Sequence, residues 1–183
     1  PKFKKGDKIK DKNNRVWYVV HVGNKHFDIS CIPDGSGYFV PMEDQDDYEL
    51  FPNRELPKTY EECCEVLGCK ADDFFTDFSY NSRDVEISDY EDKVDDLLQN
   101  FRKLRYCRDA YWKIAGDELG LGKPWEPDWN EETDKFTISN KCNKIYLNNT
   151  AWYAEVLSFP TTEMRDTFYE NFKDLIEQCK ELL

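Results

Sequence analysis

The sequence predicts a mainly α+β chain: a small SH3-like β-barrel, then a domain of two helices, a three-stranded antiparallel sheet and a closing helix. Three observations carry this. The first 52 residues are short β-branched and aromatic runs separated by turn signals. Beyond "FPNRELPKT" the apolar residues recur at three- and four-residue spacing over long stretches. Between two such stretches lie three short runs of strand composition. At 183 residues the chain suits one or two small domains.

Five strands are expected in the first part: "DKIK", "RVWYVVHV", "HFDISCI", "GYFVPM" and "DYELF". Lys-Gly-Asp, Asn13-Asn14, Gly23-Asn24 and Asp34-Gly35 supply the turns between them. Five short strands in about fifty residues favour a strongly bent barrel, and "FKKGDKI" is similar to the opening of SH3-like and KOW-type barrels. The barrel is assigned to residues 1–52. The two prolines of "FPNRELPKT" mark a linker, and an α+β domain is assigned to residues 58–183.

Thr59-Tyr60-Glu61-Glu62 reads as a capping box, opening a helix that runs to Leu67 and stops at Gly68. Ser88-Asp89-Tyr90-Glu91 reads as a second one. After it, Val94, Leu97, Leu98, Phe101, Leu104, Cys107, Tyr111 and Ile114 form the apolar stripe of a long helix, with Gly116 expected to end it. "KFTIS", "KIYLNN" and "WYAEVLSF" are the expected strands. A last helix starts near Thr161 and keeps Met164, Phe168, Phe172, Leu175, Ile176 and Cys179 on one face. The acidic, aromatic stretch "KADDFFTDFSYNSRDVEISDYEDK" is expected to form an ordered surface loop.

"GDELGLGKPWEPDW" resembles a phosphate loop only superficially. Counting back from Gly122-Lys123, the first glycine should stand at 117, which is Asp117, and the required Ser/Thr is Pro124. A dinucleotide fingerprint needs a glycine where Trp125 stands. Both glycine-loop motifs also open a helix, whereas this loop follows the end of one. In "PWEPDW", Trp125 and Trp129 are placed in the core in preference to a stacking surface.

No catalytic set emerges. His21 and His26 can face each other across a hairpin, but no nucleophile accompanies them. The seven cysteines include no C-x-x-C pair and read as reduced, mostly buried thiols; at least one of Cys63 and Cys64 should face the core. No metal site, cofactor or catalytic residue is expected. With a mean hydropathy of −0.83 and an opening "PKFKKGDKIK" that lacks an apolar signal region, the expected location is the cytoplasm.

Charge is uneven. Residues 1–27 carry eight Lys/Arg and two Asp, a net of +6; residues 28–100 carry five against 21 acids, a net of −16; residues 101–183 carry twelve against 15, a net of −3. The sum is −13. Long-range repulsion disfavours nucleic acid except at the basic amino terminus, and the acidic middle suits a basic partner.

"LPKTYEEC", "CRDAYWKIAGDELGLGKPWEPDW" and "LSFPTTEMRDTFYENFKDLIEQCKELL" resemble a recurrent module of uncharacterised proteins of gut bacteria, their phages and mobile elements. The resemblance spans Leu56 to Leu183 and transfers no catalytic residue. A small acidic chain of this kind is also similar in kind to type II anti-CRISPR proteins, which implies a non-enzymatic inhibitor that binds an RNA-guided effector nuclease with its guide RNA in a bacterial host cell. Such nucleases hold nucleic acid in positively charged channels. The partner surface is placed on Asp72, Asp73, Asp77, Asp84, Glu86, Asp89, Asp92, Asp95 and Asp96, with Phe74, Phe75, Phe78 and Tyr80 as anchors. The alternative is a nucleic-acid-binding accessory protein using Lys2, Lys4, Lys5, Lys8, Lys10 and Lys12. Monomer and homodimer are both open, and no membrane is involved.

Overall fold

The computed structural model describes residues 1–51, 54–71 and 89–183. Among these residues the chain is a mixed α/β protein with two antiparallel sheets. The amino-terminal sheet contains β1 (Lys8–Asp11), β2 (Val16–Val22), β3 (His26–Ser30), β4 (Tyr38–Pro41) and β5 (Tyr48–Leu50), in the order β4-β3-β2-β1-β5. Four of the five strands lie inside a stretch predicted from sequence, and β1 runs one residue past its stretch, to Asp11. The expected closure into a barrel is not formed: β4 and β5 are the two edges and do not pair with each other. A 3-10 helix, Met42–Asp47, carries the chain across the opening, Pro41 has no N–H to offer a further ladder, and the three residues of β5 pair with β1. Phe3, Ile9, Val19, Phe27, Ile29 and Val40 fill the concave side as one buried cluster.

The second part runs α1 (Tyr60–Leu67), α2 (Asp89–Leu119), β6 (Lys135–Lys141), β7 (Lys144–Thr150), β8 (Leu157–Phe159) and α3 (Thr162–Cys179). Thr59 caps α1, its hydroxyl accepting from the Glu62 N–H at 3.2 Å. The Glu62 carboxylate accepts from the Lys58 N–H, one residue outside the expected box. Gly68, at φ +73°, ends the helix as predicted. Thr161 caps α3 in the same way, accepting from the Met164 N–H. The sheet order is β7-β6-β8, and Cys142-Asn143 (φ +53° and +61°) make the left-handed two-residue turn that suits a twisted hairpin.

The second core joins Cys63 of α1, Leu104, Cys107, Tyr111 and Ile114 of α2, Ile138, Leu157 and Phe159 of the sheet, and Met164, Phe168, Phe172, Ile176 and Cys179 of α3. The expected stripe on α2 is thus buried only toward its carboxyl end. Phe101 is partly buried, and Leu98 is 52% exposed.

Two boundaries differ from expectation. Gly116 lies inside α2, which ends at Leu119: the Leu121 N–H bonds to the Gly116 carbonyl and the Gly120 N–H to that of Asp117, with Gly120 at φ +69°. This six-to-one and five-to-two pair is a Schellman closure centred on Gly120. Gly116 serves packing instead: a Cβ there would stand 2.0 Å from the Lys123 carbonyl oxygen. The second difference is "WYAEVLSF", of which only Leu157–Phe159 is strand. The Thr150 hydroxyl accepts from the N–H groups of Trp152 and Tyr153, turning the chain off β7 into an exposed loop.

The two cores touch through polar contacts. Lys8 pairs with Glu163 of α3, and Arg54 lies 3.9 Å from Glu118 of α2. The buried Tyr18 phenol sits against the first turn of α3, beside Thr162 and Glu163, and burial pushes its pKa up to about 12.

Candidate functional site

Between the two sheets opens a cleft of about 1010 Å³. One wall comes from the β1–β2 turn, β2, the residue after β3 and the start of β4: Arg15, Trp17, Cys31 and Tyr38. The other comes from the segment joining α2 to β6 and from the start of β6: Trp125, Glu126, Asp128, Glu131, Glu132, Asp134, Lys135 and Phe136. Local chemistry sets each wall. The Asp11 carboxylate accepts from the N–H groups of Asn13 and Arg15 and from the Trp17 indole at 3.0 Å, which fixes the turn and the ring. Tyr38 meets Trp17 edge-on, with ring centroids 5.9 Å apart.

The opposite wall is anchored to α2. The Trp125 N–H bonds to the Trp112 carbonyl at 2.9 Å, and the two indoles meet edge-on at 5.8 Å. Trp112 is itself held by Ser158 and by the Arg108 guanidinium 4.1 Å above its ring. Both tryptophans of "PWEPDW" are half-buried. Trp125 packs on the second core and also faces the cleft, so the two readings weighed for it combine.

Glu126, Asp128, Glu131, Glu132 and Asp134 are all exposed around this opening. Among the described lining residues, two cations, Arg15 and Lys135, stand against these five carboxylates, leaving a formal −3. Lys135 is already engaged: its ammonium donates to the Glu131 carbonyl at 2.7 Å and lies 5.5 Å from the Trp129 ring centroid. The cleft therefore offers negative charge and indole faces together, a combination suited to lysine and arginine side chains. In the sequence Trp125 was legible as a core or stacking residue but the cleft was not, because the other wall is contributed by residues about a hundred positions away.

The surface expected to bind a partner falls mostly outside the described residues: Asp72, Asp73, Asp77, Asp84 and Glu86 lie there, with their neighbouring aromatics and the side chains of Asp89 and Asp92. Asp95 and Asp96 are exposed on the amino-terminal part of α2. Among the basic residues of the alternative reading, Lys2 donates to the Tyr48 carbonyl and pairs with Asp46, Lys8 pairs with Glu163, Lys10 with Glu49 and Lys12 with Asp47. Lys4 and Lys5 are exposed. Most of that basic stretch is thus spent on the chain's own carboxylates.

All seven cysteines are free thiols; Cys63, Cys64, Cys107 and Cys179 are buried and Cys142 is exposed. Burial raises the thiols of Cys64 and Cys179 to about 11, and the neighbouring Cys63 thiol together with burial raises that of Cys107 further, so none of these is a ready thiolate. Among the described residues no helix is long and apolar enough to cross a membrane. Comparison with protein-family models, with curated proteins and with solved structures found no match.

Proposed function

We propose that the chain is a non-enzymatic binding protein that captures a lysine- and arginine-rich partner, with the cleft between the sheets as the seat of a cationic segment. The observation that carries this reading is the row of five exposed carboxylates on one wall of the cleft, beside Trp125 and opposite Trp17 and Tyr38. Carboxylates steer a basic partner into contact, while desolvated aromatic contacts set how long it stays. The sequence resemblance supplies the partner class: an RNA-guided effector nuclease in the bacterial cytoplasm, inhibited without chemistry by a protein of anti-CRISPR kind. The exposed Asp95 and Asp96 extend the same sign of charge along α2. The amino-terminal sheet is read here as an SH3-like barrel left open, supported by the order β4-β3-β2-β1-β5 and the 3-10 helix between β4 and β5.

The test is association with a guide-loaded nuclease and, separately, with an arginine-rich peptide, measured by surface plasmon resonance at two salt concentrations. Replacing Glu126, Glu131 and Glu132 with Gln and Asp134 with Asn should slow association and flatten its salt dependence. Trp17→Ala should instead speed dissociation. Unaltered kinetics in the four-acid variant, with a native circular dichroism spectrum, would remove the cleft from the binding surface.

A further inference from the structure

At the far end of the same sheet, three metal-competent side chains meet on one face of the β2–β3 hairpin. The ligand atoms of His21, His26 and Asp28 all lie within 4.8 Å of one another. The backbone explains the meeting. Val19 pairs with Ile29, and a regular ladder would then set His21 opposite Phe27, whose ring is buried in the first core. The register instead shifts between Val19 and His21, leaving Val20 as a bulge and pairing His21 with Asp28. His26, two residues before Asp28 on the same strand, shares its face by the period of the pleat. The bulge thus turns His21 away from the core and toward both other groups.

The surroundings fix the rings. Phe39, cross-strand neighbour of Asp28 on β4, stacks on the His26 imidazole at 4.7 Å and 24°. The two imidazole centroids are 5.8 Å apart, and the His26 Nε2 lies 3.9 Å from the Asp28 carboxylate. Gly37 leaves room beside this group, since a Cβ there would stand 2.6 Å from that of Asp28.

We propose that His21, His26 and Asp28 form a binding site for a borderline divalent transition ion such as Zn²⁺, with the remaining coordination position open to water. Two imidazoles and one carboxylate are the donor set of three-ligand zinc sites, which bind at about 2.0–2.2 Å. In a tetrahedron of that size the donors stand roughly 3.3–3.6 Å apart, so donors that lie within 4.8 Å of one another here close by about an ångström on binding. His21 is exposed, and His26 and Asp28 are half-buried.

The experiment is calorimetric titration of the full chain with Zn²⁺ after chelator treatment, paired with Co²⁺ absorption spectroscopy. Wild type should take up one equivalent, with a cobalt spectrum lacking the charge-transfer band of thiolate ligation. His21→Ala, which removes an exposed side chain and leaves both cores intact, should weaken binding at least 10-fold. Asp28→Asn should do likewise, while Cys142→Ser should change nothing. Absence of uptake by the wild type, uptake undiminished in the histidine and aspartate variants, or loss of uptake in Cys142→Ser would each overturn the site.

Discussion

Substituting Gly116 by Ala sets two effects of known sign against each other. Alanine in a helix interior is favoured over glycine by about 1 kcal/mol. Opposing this, the added Cβ would stand 2.0 Å from the Lys123 carbonyl oxygen, 2.9 Å from its carbon and 2.9 Å from the Pro124 Cα. All three are backbone atoms, so no side-chain rotation relieves the contact. The loop must retreat by about 1 Å, an overpacking strain of roughly 2 kcal/mol. That retreat pulls on the 2.9 Å bond between the Trp125 N–H and the Trp112 carbonyl, whose loss costs about 1 kcal/mol. The net is a destabilisation of about 2 kcal/mol, or a fall in Tm of roughly 4–8 °C for a chain of this size. Differential scanning calorimetry and urea denaturation measure it. Because Trp125 lines the cleft, an arginine-rich peptide should also dissociate faster from the variant. A Gly116→Ala protein as stable as wild type, or more so, would refute the steric account and leave helix propensity in charge.

Two further outcomes follow from the contacts between and within the cores. Burial raises the Glu118 carboxyl above its ordinary value of 4.5, outweighing the pull of Arg54 and Lys8; an acid shifted up favours the folded state below its unfolded pKa and loses that contribution as pH rises through the folded one. Glu118→Gln should therefore match wild type near pH 4 and exceed it in Tm at pH 7, and a variant less stable at pH 7 would show that the Arg54 contact dominates. A fragment of residues 54–183 should unfold cooperatively, whereas 58–183 should melt lower. The shorter piece lacks Leu56, which packs on the second core, and the Pro57 carbonyl that accepts from the Tyr111 hydroxyl at 2.8 Å and from Asn171. Equal melting of the two fragments would place the boundary after Pro57.

What the sequence determined by itself is the set of features that act over a few residues. Thr59 and Thr161 mark helix starts because a hydroxyl reaches an N–H only three positions away. Gly68 marks a stop because a left-handed backbone costs glycine nothing. The spacing of Met164, Phe168, Phe172, Ile176 and Cys179 already states which face of α3 is buried. Even His21 and His26 facing each other was legible, since a short turn between two strands brings its flanks together. Tertiary structure decided the rest. Gly116 and Gly120 are alike as letters, and only the approach of Lys123 tells the packing glycine from the capping one. The opening of the sheet follows from where β5 finds its partner, and the addition of Asp28 to the histidine pair from one unpaired residue at Val20. The cleft depends on Trp17 and Trp125, far apart in the sequence, arriving at one place. Such meetings are set by the summed packing of two cores, a long-range quantity that no local window of residues contains.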